Sequence, residues 1–531
     1  MERNDHLDEL LVCRLDTGAR VIEPCTIIIF GASGDLTARK LVPALYHLFI
    51  EKQLPDPFRI IGFARREKSD ASWHGELKTA LEQYSRTKKA DPVAWQNFTS
   101  HLTYFEGDYD KAKSYQDLAA VLKKFGNEAL TKNLLFYLAI PPSQFAGVVQ
   151  QLHESGLLQK GGSSRHWQRV VIEKPFGHDL ESARQLNAEL TRYMQERQIF
   201  RIDHYLGKET IQNILMFRFS NNIFERLWTR QVVDHVQITV SEQMGVGSRG
   251  SYYEEAGALR DVVQNHVLQI LAMVAMEPPA SLEAESIRDE KVKLLKCIRP
   301  VLPGQADSYV VRGQYAGGQF DGQIVKPYRE EPKVRPDSNV ETFVALNLFI
   351  DNWRWSGVPF YLRAGKRLAL SASEVRVQFR PPPHVLFAAQ CGPTLDANSI
   401  TLRLQPNEGI TLHFNGKIPG TTMQIRPVRM HFSYNAEFGA YTPEAYERLL
   451  LDALAGDATL FIRRDEVEIA WSIVDPIRAT WEKRPLSENE FYAAGSWGPE
   501  PSQELLARNG HAWRNPQPAA SLVQNQNKMP G

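Results

Sequence analysis

The stretch Arg201-Ile-Asp-His-Tyr-Leu-Gly-Lys-Glu209 carries an acid, an imidazole, a phenol and a lysine within six positions. Gly207 permits a turn, and Lys208 and Glu209 then begin a predicted helix. The first turn of a helix presents free backbone N–H groups and the positive end of the helix dipole, so with Lys208 and His204 it could hold a phosphate. A histidine with a purely structural role is the alternative interpretation. We predict that this stretch lies where two domains meet and that it binds an anionic ligand.

A second group of polar residues lies in the segment 254–271. The residues that recur there at helical spacing are Leu259, Val263, His266 and Ile270. This spacing places His266 on the apolar side of a helix, facing the interior. Burial lowers the pKa of an imidazole and a neighbouring aspartate raises it, so a buried pair could titrate near neutrality, where a general base works best. A core histidine bonded to a backbone carbonyl is the alternative.

Two lysines follow predicted strands. Lys174 stands in Glu173-Lys-Pro-Phe-Gly177, at the carboxyl end of a strand, where it could reach both a cofactor and a substrate. Lys366 follows another strand, and Gly365 lets the backbone turn there. Each lysine could instead be an ordinary surface residue. Both remain candidates for binding the ligand.

The elements before residue 200 are typical of a nucleotide-binding domain. The apolar run Thr26-Ile-Ile-Ile-Phe30 predicts a parallel strand buried on both faces. It leads into Gly31-Ala-Ser-Gly-Asp-Leu-Thr37, in which Gly31 permits a tight turn and Gly34 lets the backbone approach a pyrophosphate. Because the full G-x-G-x-x-G spacing is absent, a simple strand-to-helix connection is the alternative.

The end of the second predicted strand indicates which dinucleotide binds. Residues 58–64 form this strand, and Arg65 and Arg66 follow it. An acid at this position binds the ribose of NAD, whereas an arginine suits the 2′-phosphate of NADP. NADP is therefore favoured, and a solvated charge pair is the alternative.

Strands and helices alternate from residue 25 to 200, which predicts a doubly wound parallel sheet of the Rossmann type. Beyond residue 200, several segments alternate polar and apolar residues with a period of two, which predicts an α+β domain with one large antiparallel sheet and helices such as 443–455 packed nearby. We expect an N-terminal tail (1–24), a Rossmann-like domain (25–200), an α+β domain (201–495) and a mobile C-terminal tail (496–531).

The totals limit the possible partners. The chain has 531 residues, enough for two large domains, and 62 basic residues balance 62 acidic ones, so no overall charge attracts nucleic acid or a membrane surface. The four cysteines are scattered without a C-x-x-C pair, which argues against structural zinc and favours a reducing compartment. No signal sequence or membrane-length apolar run is recognised, so we expect a cytoplasmic protein.

These motifs together resemble one family, glucose-6-phosphate dehydrogenase. The segments that carry the resemblance are Gly31–Leu36, Glu173–Gly177, Arg201–Lys208, Arg260–His266 and Arg363–Lys366, in the order and approximate spacing of the family. The match spans residues 25 to about 490. The stretch from Arg201 to Lys208 is its most specific part, and the glycine turn is the least specific.

The resemblance implies an oxidoreductase of the pentose phosphate pathway that oxidises glucose 6-phosphate at C1 to the 6-phosphoglucono-1,5-lactone with NADP. It implies that His266 is the general base and that Asp203 orients and stabilises it. The other implied site residues are His204, Tyr205 and Lys208 for the 6-phosphate, Glu242, Asp261 and Lys366 for the sugar hydroxyls, Lys174 for both ligands, and Gly31, Ser33, Gly34, Asp35, Leu36 and Arg65 for the cofactor. A homodimer or homotetramer formed through the C-terminal sheet is expected.

Three positions depart from the pattern of the family. Thr37 replaces a frequent alanine, Arg66 replaces a common serine, and Leu370-Ser371 stand where some members have an acid and an arginine. Arg66 favours NADP further, although use of NAD beside NADP stays open. Two other hypotheses also stay open: an NADP oxidoreductase acting on unphosphorylated sugars, and a non-catalytic NADP-binding regulator.

Overall fold

The computed structural model describes residues 22–162, 165–320, 322–384, 396–421, 424–439, 443–482 and 484–518. The chain forms two compact units. The first comprises the chain up to Glu173 together with Glu189–Ile202 and Tyr446–Ala458. The second comprises Lys174–Ala188, Asp203–Ala445 and the chain from Thr459 onward. Each unit is therefore assembled from three separate parts of the sequence.

The first unit is built on a parallel sheet. Six of its strands pair in the order β6-β5-β4-β1-β2-β3. They are β1 (Cys25–Phe30), β2 (Phe58–Ala64), β3 (Leu102–Glu106), β4 (Leu134–Leu138), β5 (Gln168–Ile172) and β6 (Ile199–Ile202). Every residue of β1 is buried, as its apolar run predicts. This is the Rossmann strand order, which reverses direction between β1 and β4 and places a ligand beyond the carboxyl ends there.

Helices of the first unit alternate with these strands. They are Val42–Ile50, Asp70–Tyr84, Pro92–Thr99, Ala112–Lys123, Glu128–Lys132, Phe145–Glu154 and Ala445–Ala455, with 3₁₀ turns at Pro142–Gln144 and Glu196–Gln198 and a π-helical segment at Thr37–Leu41. The π-helical segment runs directly into helix Val42–Ile50. Pro43 therefore lies just after the hydrogen bonding changes from π-helical to α-helical, and the helix continues through it without a break.

Helix Ala445–Ala455 corrects one expectation, because most of it belongs to the first unit and not to the second. Its buried Glu447 accepts a hydrogen bond from His47 Nδ1 at 2.8 Å and pairs with Arg86 at 3.1 Å. Arg169 donates to the Ala453 carbonyl at 2.9 Å. These contacts bridge distant parts of the sequence, so a local pattern could not assign the helix to its unit.

The second unit contains a nine-stranded sheet in the order β16-β15-β14-β13-β7-β12-β11-β8-β18. Its strands are β7 (Val233–Ser241), β8 (Val310–Ala316), β11 (Phe343–Phe349), β12 (Pro359–Gly365), β13 (Ala372–Phe379), β14 (Ser399–Gln405), β15 (Gly409–Lys417), β16 (Ile425–Ser433) and β18 (Phe491–Ala493). Most neighbours are antiparallel, as predicted, but β7 with β12 and β8 with β18 are parallel. Long crossover connections permit parallel pairing at these two positions.

The remaining elements complete the chain. The helices are Leu180–Tyr193, Glu209–Phe219, Asn222–Glu225, Gly250–Ala258, Leu268–Ala275, Ala284–Lys296, Ala306–Tyr309, Tyr434–Phe438, Arg464–Trp481 and Pro501–Ala507, with a π-helical segment at Leu259–Val267. The short elements are the strands β9 (Gly318–Phe320), β10 (Gln323–Val325) and β17 (Phe461–Ile462) and 3₁₀ turns at Gly247–Arg249, Pro303–Gln305, Tyr328–Glu330 and Glu488–Glu490. Within the described ranges, no helix has the length and apolar character needed to cross a bilayer.

The expectation of a mobile tail from residue 496 is wrong for the part that the structure describes. Residues 501–507 form a helix, and Leu505, Leu506 and Trp513 join a buried apolar cluster of the second unit. The Trp513 indole also donates to the Ser502 carbonyl at 2.9 Å. Three apolar side chains within a polar composition thus anchor the segment, whereas residues 519–531 lie outside the described residues.

Candidate active site

The second unit holds a buried histidine–aspartate pair. His266 Nδ1 lies 2.5 Å from Asp203 Oδ1, and the two residues are 3% and 1% exposed. The backbone N–H of Tyr205 donates to the same carboxylate oxygen at 2.9 Å. An ionised carboxylate only accepts hydrogen bonds, so Nδ1 of His266 carries the proton and Nε2 presents its lone pair. The predicted contact between these two side chains is present.

His266 lies in the π-helical segment Leu259–Val267, between the helices Gly250–Ala258 and Leu268–Ala275. The prediction of a regular α-helix is therefore wrong about the type of helix at His266. The predicted burial of His266 is correct. Such π-helical turns are rare and occur often at functional sites. Because a π-helix has more residues per turn than an α-helix, the side chains on both sides of His266 point in different directions than they would in a regular α-helix.

A close backbone contact fixes the start of this segment. Gly257 has φ +63°, and a Cβ there would lie 2.3 Å from Glu341 Oε1. The same oxygen accepts the Leu259 backbone N–H at 2.9 Å. Glu341 therefore needs a glycine beside it in order to cap the segment, and no local pattern around Gly257 predicts this contact.

Lys174 contacts the free nitrogen of the histidine. Its Nζ lies 3.0 Å from His266 Nε2 and 3.1 Å from Asp261 Oδ1. Tyr252, which the sequence did not single out, donates to the same Asp261 oxygen at 3.0 Å. Burial alone would raise the pKa of Asp261, but Lys174 and, more weakly, Lys366 hold it at about 2. Asp261 therefore stays ionised near neutral pH, and its carboxylate accepts hydrogen bonds beside His266.

Electrostatics keep the pair in one charge state near neutral pH. Burial opposes ionisation of Asp203, yet the neighbouring His266 holds the pKa of this carboxyl well below its usual range. Burial lowers the pKa of His266, and Asp203 offsets only part of this shift. The pair is therefore a neutral imidazole beside a carboxylate, which can accept a proton at Nε2.

The predicted phosphate-binding residues cluster around His266. The Tyr205 ring stacks on the His266 ring at a centroid distance of 4.3 Å, and the His204 ring lies 4.9 Å from both. Lys208 Nζ lies 3.6 Å from the Tyr205 ring centroid and donates to Gln405 Oε1 at 2.6 Å. Gln405 was not predicted, because it lies far along the chain in β14.

Burial also sets the charge of this cluster. It lowers the pKa of Lys208 to about 8, and it lowers the pKa of His204, which is also close to His266, to about 3. Burial raises the pKa of Tyr205 to about 12. Near neutral pH, a phosphate here would meet one cationic lysine, a neutral imidazole and a phenol that can donate.

Glu242 and Lys366 form a separate pair in the same unit. Lys366 Nζ donates to Glu242 Oε2 at 2.6 Å, and the lysine side chain is 4% exposed. Its ammonium lies 5.3 Å from the Tyr253 ring centroid. The predicted sugar-binding residues Glu242, Asp261 and Lys366 are thus polar groups with defined partners.

The predicted cofactor residues lie in the first unit. Gly31 has φ +90°, and a Cβ there would lie 2.1 Å from the Ala139 carbonyl oxygen, so only glycine fits this turn after β1. The Gly34 N–H donates to the Gly31 carbonyl at 2.9 Å. The following Asp35 and Leu36 begin a helix, and their amides have no partner within it.

Two other features of this region suit a dinucleotide. Ser33 is half-buried in the turn, and the exposed Asp35 pairs with Arg39 at 3.2 Å. Arg65 is exposed after β2, with its guanidinium 5.3 Å from the Tyr109 ring centroid. A glycine-specific turn at the point where the strand order reverses, with an exposed arginine directly after the next strand, fits a dinucleotide.

Two clusters in the described part of the chain have potential metal-ligand atoms within 4.8 Å of one another: Asp203, His204 and His266, and Asp234, His235 and His511. In both clusters, imidazole groups already donate to the carboxylate. In the first, the Lys174 ammonium also occupies the free histidine nitrogen. A metal ion would have to displace these protons, so both clusters are hydrogen-bonded networks.

Comparison with known proteins matches two consecutive stretches of the chain to one family. The family model described as "Glucose-6-phosphate dehydrogenase, NAD binding domain" matches residues 28–213, and "Glucose-6-phosphate dehydrogenase, C-terminal domain" matches residues 215–514. Glucose-6-phosphate 1-dehydrogenase of Chlamydia pneumoniae is 46% identical over 499 residues, covering 93% of this chain and 97% of that protein. The Bacillus subtilis (strain 168) protein of the same name is 44% identical over 491 residues, covering 92% and 98%.

A solved structure, described as glucose-6-phosphate dehydrogenase in complex with its substrate glucose-6-phosphate, has a TM-score of 0.84 at 36% identity and covers 93% of this chain and 99% of that one. Fold and site together define an oxidoreductase of the Rossmann class with a second, sheet-based unit. The family matches then make the assignment specific. The chain belongs to the glucose-6-phosphate dehydrogenase family.

Proposed function

We propose that this chain oxidises glucose 6-phosphate at C1 to 6-phosphoglucono-1,5-lactone, the first step of the oxidative pentose phosphate pathway, with NADP as the acceptor and His266 as the general base. One observation carries the proposal. The buried His266–Asp203 pair presents Nε2 toward a lysine and an ionised aspartate, in a chain whose family is established.

The C1 hydroxyl must lose its proton as the carbonyl of the lactone forms. His266 Nε2 takes this proton, because Nδ1 already donates to Asp203 at 2.5 Å. The imidazolium that results is stabilised by the carboxylate, which stays ionised throughout. A bound nicotinamide dinucleotide supplies the acceptor for the hydrogen and electron pair that leave C1.

Lys174 controls access to the base. Its ammonium donates to His266 Nε2 at 3.0 Å, so the substrate hydroxyl must replace this hydrogen bond. Asp261, 3.1 Å from the same ammonium, holds the displaced lysine beside the reacting carbon. Lys174 thus contributes a positive charge near the sugar, and it is also the proposed contact to the cofactor.

The rest of the cluster binds the sugar phosphate in this proposal. His204, Tyr205 and Lys208 hold the 6-phosphate, with the Lys208 ammonium supplying the charge. Glu242, Asp261 and Lys366 accept from and donate to the sugar hydroxyls. Lys208 gives up its hydrogen bond to Gln405 when the phosphate arrives.

Preference for NADP over NAD rests on Arg65. Gly31, Ser33, Gly34, Asp35 and Leu36 form the turn proposed to hold the pyrophosphate. The exposed guanidinium of Arg65, at the end of β2, would pair with the 2′-phosphate. An assay with NADP and NAD in turn measures this preference.

The nine-stranded sheet is also the proposed oligomer interface. Its terminal strand β16 pairs with β15 alone among the described residues, and Met430 on this strand is 60% exposed. An edge strand with exposed side chains favours pairing with a second copy. A homodimer or homotetramer built on this sheet, located in the cytoplasm, completes the proposal, and light scattering measures the mass of the assembly.

The direct test follows NADPH absorbance with glucose 6-phosphate. We expect turnover in the wild-type chain, and a His266→Asn variant that still binds glucose 6-phosphate but loses most of its turnover. Ordinary turnover by this variant would remove His266 from the role of base. A Lys208→Ala variant distinguishes the main alternative, since an enzyme for unphosphorylated sugars would keep its Michaelis constant.

A further inference from the structure

The second unit contains a cavity of about 520 Å³ that the proposed reaction does not use. The arginines that line it are Arg260, Arg312, Arg335, Arg478 and Arg484. Three glutamates, Glu254, Glu341 and Glu482, also line it, so arginines are in excess by two. A volume of this size is typical of pockets that enclose a small organic ligand.

Most of the positive charge around the cavity is already paired. The carboxylate partners are Glu490 for Arg312 and Arg484, Glu254 for Arg335, and Glu482 for Arg478. Arg260 differs from these four. Its Nε donates to the Ala256 carbonyl at 2.9 Å, and no carboxylate among the described residues forms an ion pair with it.

The environment of Arg260 makes this unpaired charge costly. The residue is half-buried, and burial lowers the pKa of its guanidinium. Among the neighbouring acids Glu341 acts most strongly on this guanidinium, but its Oε1 already accepts the Leu259 N–H at 2.9 Å, and burial raises the pKa of this carboxyl. A guanidinium that has lost water without gaining a carboxylate favours an incoming anion.

We propose that this cavity binds a small organic polyanion, a phosphorylated or polycarboxylate metabolite with at least two negative charges, and that Arg260 is its principal contact. The other four arginines surround the ligand with positive charge. Arg260 can offer its two terminal nitrogens to two oxygens of one anionic group.

The position of Arg260 connects this cavity to the candidate active site. Arg260 stands in the π-helical segment between Leu259, which bonds Glu341, and Asp261, which bonds Lys174. A ligand held by Arg260 therefore restrains the turn that carries Asp261 and, further along, His266. The cavity is thus placed to bind an effector.

The test measures binding of inorganic pyrophosphate to the full-length protein by isothermal titration calorimetry, with glucose 6-phosphate and NADPH both at saturation so that the proposed phosphate and dinucleotide sites are filled. A Lys208→Gln variant titrated without the sugar phosphate gives the same information independently of the proposed function, because it removes the proposed phosphate site directly. We expect one pyrophosphate site in both cases. Absence of heat in both would overturn the proposal.

Variants locate the site. We expect Arg260→Gln to bind pyrophosphate about ten- to a hundredfold more weakly, because a charge-assisted hydrogen-bonding partner is lost. Arg299→Gln is the matched control, since it removes one arginine charge from an exposed pair with Asp351 in the same unit and should leave the affinity unchanged. Equal affinities of Arg260→Gln and the control would refute the proposal.

Two further arms complete the design. Arg335→Gln, at an exposed position on the rim, should fold normally and weaken binding about two- to fivefold through lost charge alone, and unchanged binding there would also count against the proposal. Citrate distinguishes the ligand class. Equal affinities for citrate and pyrophosphate would show that the cavity binds polyanions in general. Binding of pyrophosphate alone would show that the ligand must be phosphorylated.

Discussion

Replacing Asp203 by asparagine tests the proposed mechanism, because it removes the charge and leaves the shape. The Tyr205 N–H donates to Asp203 Oδ1 at 2.9 Å, so an asparagine keeps its oxygen in that position and still accepts from His266 Nδ1. The imidazole therefore retains its tautomer. What the variant loses is the negative charge that stabilises the imidazolium formed when His266 takes the proton.

The structure sets the size of this loss. A hydrogen bond of 2.5 Å places the charge centres of Asp203 and protonated His266 about 4 Å apart, which at an effective dielectric constant of about 20 corresponds to about 4 kcal/mol. Each 1.4 kcal/mol or so is a factor of about ten in rate, so we expect kcat to fall about a thousandfold. Steady-state NADPH formation measures this fall.

The same substitution has two further signatures. Asp203 raises the pKa of His266, so the acid limb of the kcat/KM profile should move to lower pH in the variant. Asp203 Oδ2 is buried with no hydrogen-bond partner among the described residues, so the amide nitrogen placed there is an unsatisfied donor. Such a donor costs about 1–3 kcal/mol of stability, which a melting curve detects.

Asp234→Asn is the matched control for this experiment. Asp234 also accepts from a histidine, His235, at 2.8 Å in the same unit, but it is not part of the proposed site. Its variant should keep wild-type kcat. If Asp203→Asn turns over within about threefold of the wild type, or if both variants lose activity equally, the charge of Asp203 does not act through His266.

Three more perturbations follow from the structure. Arg65→Gln should raise the KM for NADP about tenfold and leave the KM for NAD unchanged, because only the 2′-phosphate loses its partner. Gly257→Ala should lower the free energy of unfolding by about 1–3 kcal/mol, since alanine is strained at φ +63° and its Cβ would clash with Glu341. Stability should fall as the pH drops from 6.5 to about 3, because folding lowers the pKa of His204 to about 3 and the unfolded chain then binds the extra proton.

Each of these predictions has its own control. For Arg65, equal losses with NADP and NAD would contradict a contact with the 2′-phosphate. Gly75→Ala serves for Gly257, because Gly75 lies within a helix with open space around it and should be neutral or stabilising. For His204, a His204→Gln variant should show a shallower loss of stability between pH 6.5 and 3, and an unchanged slope would contradict the shift.

Local sequence patterns predicted most strands and helices of the first unit, because neighbouring residues determine where these elements begin and end. The buried run of β1 and the glycine turn after it lie within a few residues of one another, and a strand and its turn impose their own constraints. Burial of His266 was also predicted correctly from the apolar spacing around it. The pattern could not specify the π-helical register, since that depends on Glu341, 82 positions beyond Leu259.

Contacts between distant residues account for the other differences. Lys208 was identified from its neighbours, but its partner Gln405 lies 197 positions away. Tyr252 was passed over because a tyrosine at the start of a helix has no distinctive spacing, and only the fold brings it to Asp261. The tail from residue 496 looked polar, although a few apolar side chains such as Trp513 suffice to anchor it.

The assembly of the first unit from separated parts of the chain has a consequence for biosynthesis. His47 meets its partner Glu447 across 400 positions of sequence, and both residues belong to the same unit. At about 5–20 residues per second, the ribosome needs roughly 20 to 80 s to travel from one to the other. During that interval the emerging unit lacks both the carboxylate that pairs with His47 and the helix that carries it, so this unit is complete only after most of the chain has been made.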